Sequence, residues 1–95
     1  MLPIRIYRVI DRSMEPGLRE GDYVFVSRVR IHLREGDLVV ARHPRTGLRI
    51  IKRVESIGDG RAFLVGDNRA ASEDSRSFGS VGLSDIIGKV IYTVR

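Results

Sequence analysis

Alternation and short apolar runs dominate this chain, and no segment shows a long helical period. From Ile4 to Ile10 the residues alternate, with Ile4, Ile6, Arg8 and Ile10 on one face. Tyr23 to Val26 and Leu38 to Ala41 are continuous apolar runs, the pattern of strands covered on both faces. Leu48 to Ile57 reads as a longer strand, Ala62 to Val65 as a short one, and Ile86 to Val94 as a closing one. Between them, Gly-Asp recurs at Gly21-Asp22, Gly36-Asp37, Gly58-Asp59 and Gly66-Asp67. Glycine supplies positive φ and aspartate bonds nearby backbone, so these pairs mark turns. Only Glu15 to Arg19 and Leu83 to Ile87 suit a helical turn. The expected fold is mainly β: a single compact, coiled antiparallel sheet domain over residues 1–95, with at most one or two short helical turns.

Composition narrows the chemistry. A chain of 95 residues with 42% hydrophobic residues can build one core and has little room for a second. It has no cysteine, which excludes disulfides, cysteine nucleophiles and zinc-cysteine sites. His32 and His43 lie outside any ligand-spaced cluster and read as surface residues, so no metal and no cofactor is expected. No run approaches the roughly 20 apolar residues of a membrane span. Arg5 and Arg8 interrupt the apolar opening, so it does not read as a signal peptide. The expectation is a soluble, cytoplasmic protein for which membrane contact is not implied.

The net charge of +5 raises nucleic-acid binding as an alternative. The arginines are scattered and are not interleaved with the aromatic residues, so a solvated basic surface is the simpler reading and no nucleic-acid partner is expected. Charge identity says more. Of the 17 basic residues, all but Lys52 and Lys89 are arginine. Arginine stays protonated in proteins, whereas a desolvated lysine can lose its proton.

Lys52 lies in the alternating run Arg49 to Glu55 and shares its face with Ile50 and Val54. Burial there would lower its pKa and fit it for general-base work. An edge-strand lysine reaching water would have the same local sequence. Ser13, in Asp11-Arg12-Ser13-Met14-Glu15-Pro16-Gly17, follows the first strand and precedes a tight turn. Such a serine is commonly a cap or turn residue. It is also placed to be exposed and fixed beside turn N–H groups that could bind an oxyanion. Neither histidine lies in a triad-like motif, so a Ser-Lys pair is the remaining route to an activated hydroxyl. The segment Ala70 to Ser80, small and polar, reads either as a loop or as scaffolding for a site.

Together these segments resemble the boxes of signal peptidase I and its relatives. Ser13-Met14-Glu15-Pro16 with Gly21-Asp22-Tyr23-Val24-Phe25-Val26 is similar to the nucleophile box, and Gly36-Asp37-Leu38-Val39-Val40 to the next strand box. Lys52-Arg53-Val54 resembles the base box. Gly66-Asp67-Asn68, Ser72-Glu73-Asp74-Ser75-Arg76 and Phe78-Gly79 resemble the C-terminal box. Order and spacing agree over about residues 9 to 92. The stretches Gly36 to Val54 and Gly66 to Arg76 look most like the short maturation proteases of nickel-type superoxide dismutases.

The resemblance implies a serine endopeptidase acting on a precursor protein or peptide. Ser13 would be the nucleophile and its N–H an oxyanion donor. Lys52 would be the base, Ser72 would orient the amine, and Asp74 and Arg76 would form a supporting ion pair. Met14 and Pro16 would flank bound substrate. The subgroup implies removal of an N-terminal extension from a superoxide dismutase precursor. The alternatives are a leader peptidase of the signal peptidase I type and a LexA-like self-cleaving or regulatory domain. Two positions depart from the pattern. Asp11, two before Ser13, replaces a small or hydroxyl residue, and its carboxylate would oppose an oxyanion unless it points away or pairs with Arg12. Gly17 replaces a common threonine, and Glu15-Pro16-Gly17 resembles the endoplasmic-reticulum type, whose base is histidine. The base position here reads Lys52.

Overall fold

The computed structural model describes residues 3–28 and 32–95. Seven strands form one curled antiparallel sheet: β1 (Ile4–Arg8), β2 (Tyr23–Ser27), β3 (Leu38–Arg42), β4 (Arg49–Gly58), β5 (Arg61–Val65), β6 (Val81–Gly82) and β7 (Ile86–Val94). Their order is β1-β2-β7-β3-β4-β5-β6, so the closing strand lies between β2 and β3. Six of the seven strands coincide with the expected runs to within a residue or two. β6, only two residues long, carries no periodicity that sequence could reveal.

β3 explains how a sheet this small holds a core. Val40 packs into a cluster with Val9, Met14, Leu18, Val24 and Val26. Val39 and Ala41 point the other way, into a cluster with Val54, Ala62, Leu64 and Val81. The strand is therefore covered on both faces, as its unbroken apolar run requires. The same reading fails for β2. Val24 and Val26 are buried, but Tyr23 is exposed and Phe25 is half-buried against Tyr92 in an edge-to-face contact at 5.9 Å. In β1 the isoleucine face turns outward, and the covered residues are Tyr7 and the following Val9. An apolar run fixes a strand, but which face is covered depends on its neighbours.

Glycine permits one close approach within the sheet. A Cβ at Gly88 would collide with the Ser27 carbonyl and lie 2.6 Å from a Val26 methyl, where β7 crosses β2. The Gly-Asp turns use two mechanisms. Asp22 and Asp37 each accept a backbone N–H three residues back, from Arg19 and Arg34, at 2.9 and 2.8 Å. At the β4–β5 hairpin, Asp59 and Gly60 both take positive φ, the geometry of a two-residue mirror-image turn.

The helical content differs from expectation. Glu15 to Arg19 is a run of turns, closed by Leu18 N–H to the Met14 carbonyl at 3.0 Å. Leu83–Asp85 forms a 3-10 turn. Within Ala70 to Ser80 lie the end of another 3-10 turn, Arg69–Ala71, and the one-turn helix α1 (Ser75–Phe78), which sequence reading left as loop or scaffold. Of these, α1 is capped by the Asp74 side chain, and each element is too short to show a hydrophobic period. Among the described residues no helix is long and apolar enough to cross a membrane.

Candidate active site

Lys52 sits in the middle of β4, paired opposite Val39 of β3, and is only 3% exposed. The alternation of Ile50, Lys52 and Val54 places the amine on the inner face. Its Nζ donates to Ser72 Oγ at 3.1 Å. Burial drives the amine below the ordinary lysine range, and the negative charges of Asp11, Asp74 and Glu73 partly oppose this. The edge-strand alternative is thereby removed, because β4 is paired on both sides.

Ser72 is held in turn by Asp74. The Ser72 hydroxyl donates to Asp74 Oδ2 at 2.9 Å, and the Gly66 N–H donates to the same oxygen at 2.9 Å. Arg76 grips both carboxylate oxygens, Nε to Oδ1 at 2.9 Å and Nη2 to Oδ2 at 3.0 Å. Asp74 is fully buried. Burial by itself would raise its pKa, but the Arg76 guanidinium, the Gly66 N–H and the Ser72 hydroxyl hold it well below the usual carboxylate range. Asp74 also caps α1 by accepting the Arg76 N–H.

Ser13 is also buried, at 3% exposed, in the turn between β1 and β2. The C-terminal segment clamps this turn. Asn68 N–H donates to the Ser13 carbonyl at 2.8 Å, and its side-chain amide donates to the Arg12 carbonyl at 2.9 Å. Asp67 is fixed by a bidentate contact from Arg53 at 3.0 and 2.7 Å, and Arg53 also donates to the Gly36 carbonyl at 2.8 Å. A Cβ at Gly66 would overlap the Ser72 hydroxyl and lie 2.7 Å from the Ser13 carbonyl oxygen. Gly66 is thus where the Ser13 turn meets Ser72, the residue bonded to Lys52. Gly66→Ala is expected to lower stability by about 1–3 kcal/mol, because a backbone oxygen cannot step aside. A denaturant melt tests this, and an unchanged midpoint would show that the two loops part freely.

Met14 is buried, accepts the Asp67 N–H through its sulfur at 3.4 Å, and lines a cleft of about 230 Å³ with Tyr7, Val9, Asp11 and Ile50. Arg49 stands over the Tyr7 ring at 5.8 Å at its rim. Pro16 is exposed and is not part of this lining. Hydrogen bonds thus link Lys52, Ser72, Asp74 and Arg76, Gly66 brings the Ser13 carbonyl up to Ser72, and Met14 lines the neighbouring cleft, which Pro16 does not.

Two arrangements went unread in the sequence. His43, expected at the surface, is buried. Its Nδ1 accepts the N–H groups of Arg45 and Thr46 at 3.1 and 3.3 Å, Nε2 bonds Glu73 at 3.0 Å, and its ring packs on Phe78 at 4.5 Å. It ties the β3–β4 turn to the segment carrying Ser72 and Asp74. Asp11 neither points away from the serine nor pairs with Arg12, which binds Glu15 at 3.4 Å. Its Oδ1 accepts both the Ser13 N–H, at 3.1 Å, and the Ser13 hydroxyl, at 2.9 Å.

The site thus sets a buried lysine and a buried serine beside a curled antiparallel sheet. Residues 3–91 match the model of the peptidase S24-like family, and the chain belongs to that family. It is similar to mitochondrial inner membrane protease subunit 1 of Xenopus tropicalis, with 31% identity, and of Homo sapiens, with 29%. Each alignment covers 86% of this chain but only 64% of the relative.

Proposed function

We propose that this chain is a serine endopeptidase that removes an N-terminal extension from a precursor protein, with Ser13 as nucleophile and Lys52 as general base. The observation that supports this reading is the desolvated Lys52 amine, bonded to Ser72 Oγ, which meets the Ser13 carbonyl across Gly66. In the first step Ser13 Oγ bonds to the scissile carbonyl carbon while its proton passes to neutral Lys52. The tetrahedral intermediate places negative charge on the former carbonyl oxygen, where the Ser13 N–H stabilises it. Collapse breaks the C–N bond, and the Lys52 ammonium returns the proton to the leaving amine. Water then repeats the sequence on the acyl-enzyme, with Lys52 again as base. Substrate lies extended in the cleft beside β1, an edge strand whose outer side is free to pair within the described sheet.

The substrate proposed is the precursor of a nickel-type superoxide dismutase, on the likeness of residues 36–54 and 66–76 to the proteases that mature it. The test incubates the purified chain with such a precursor and reads both proteins by intact mass. One cut that frees the mature N-terminus is the expected result. A shortened enzyme beside an intact precursor would instead assign self-cleavage of the LexA-like kind, and two intact proteins would overturn the substrate.

A further inference from the structure

We propose that Asp11 is a built-in occupant of the oxyanion position, which an acyl substrate must displace before Ser13 can attack. This rests on the reading of Ser13 as nucleophile and Lys52 as base. A single oxygen, Asp11 Oδ1, takes two donors from one residue: the Ser13 N–H at 3.1 Å and the Ser13 hydroxyl at 2.9 Å. Attack requires both donors elsewhere. The N–H must face the developing oxyanion, and the hydroxyl proton must turn to Lys52. A negatively charged oxygen beside Ser13 that accepts its N–H is also what the tetrahedral intermediate presents, so the carboxylate stands in for it.

The bond from Asp11 to the N–H two residues on also shapes the turn, as aspartate commonly does. The bond to the hydroxyl has no such role. The adjacent cation, Arg12, is engaged by Glu15. Asp11 is exposed and lies on the wall of the cleft, so it has room to swing clear by side-chain rotation.

The same charge acts on the base. The groups that act electrostatically on Lys52 are Asp11 from the nucleophile turn and Glu73, Asp74 and Arg76 from the segment after β5. Asp11 favours the ammonium form, which cannot accept a proton. One carboxylate thus withholds the oxyanion donor from the substrate and neutrality from the amine. Its displacement releases both.

Two variants separate these effects. Asp11→Asn keeps an acceptor for the Ser13 N–H but drops the charge, whereas Asp11→Ala removes both. Lys52 and Lys89 are the only lysines, so ¹³C-lysine labelling gives two resonances whose titration is read without any substrate. Both variants are expected to lower the Lys52 midpoint by about one pH unit. Nucleophile access is read as the rate at which an alkyl fluorophosphonate adds to Ser13. In that reaction an O–P bond forms, fluoride leaves and the proton passes to Lys52. At a pH where Lys52 is neutral in every variant, Asp11→Ala is expected to react at least about tenfold faster than the parent chain, and Asp11→Asn less so.

A rate for Asp11→Ala at or below the parent's, with a native melt, would overturn the occlusion. An unmoved Lys52 midpoint would overturn the coupling. If the alanine variant fails to fold, the asparagine variant decides through its midpoint and its rate. Ser13→Ala, run in parallel, should give no adduct. Labelling of that variant would sink the nucleophile reading instead, so the two failures are distinguishable.

Discussion

Lys52→Met is expected to lower kcat/KM by about 10⁴-fold while leaving the chain folded and no less stable. General-base catalysis contributes about 10²–10⁴-fold, and the other lysine, Lys89, is paired with Asp37 at 3.3 Å. Methionine fills the volume without a charge, so the cost of burying an amine is removed and the melting temperature should hold or rise. Lys52→Arg should be equally inactive, because a guanidinium keeps its proton at any working pH. The parent enzyme's rate should climb with pH through the lowered Lys52 value and then level off, since only the neutral amine accepts a proton. Stability follows the same sign. Between the folded value and the unfolded value of about 10.4 the unfolded chain holds the extra proton, so the folded state gains as pH rises through that window. Ser13→Ala completes the pair, with a comparable loss at every pH. Cleavage at more than a few per cent of the parent rate by either Lys52 variant would remove lysine from the mechanism.

Asp74→Ala is expected to be the most damaging change to the fold, costing about 3 kcal/mol. Removing one partner of a buried ion pair strands the other, and such losses run to about 3–5 kcal/mol. The lower figure applies because the Arg76 side chain is 38% exposed and water screens it once it is released. Three further groups lose their acceptor: the Gly66 N–H, the Ser72 hydroxyl and the Arg76 N–H that caps α1. Because Asp74 titrates below its ordinary value when folded, its contribution is complete above about pH 3.9 and is lost as the pH falls through the folded value. The chain should therefore resist mild acid better than the alanine variant, and the two should converge in strong acid. Urea midpoints at pH 7 and pH 2 test this, with the gap between the two chains narrower at pH 2 than at pH 7. Equal midpoints at pH 7 would mean that the Asp74 network carries no stability. Ser72 should lose its fixed position with Asp74, so the folded fraction of the variant should also cleave slowly.

How much of this was legible beforehand varies with the range of the interactions. The strands could be read because an apolar run or an alternation reports which residues must leave water, and that requirement is local. Lys52 could be read only in part: its two β-branched neighbours set the face it shares, but only the pairing of β4 on both sides removes the edge-strand alternative. Ser72, Asp74 and Arg76 could be assigned only by likeness to a family. Their segment has no period, and its order comes from hydrogen bonds to Gly66 and Arg69, outside the segment, and to Lys52, 20 residues away. His43 was misread because nothing in its own neighbourhood shows that Glu73 and Phe78 will close over it.

The sequence by itself determined a mainly β domain, the apolar face that Lys52 shares, and the order of the motifs that surround it. Only the tertiary structure decided that the loop carrying Asn68 would clamp the Ser13 turn, and that Gly66 would let the two halves of the site touch. It also decided that Asp11 would face the serine rather than solvent. The physical reason is the reach of each effect: solvent exclusion acts residue by residue along a strand, whereas a hydrogen bond between loops exists only once the sheet has brought their ends together.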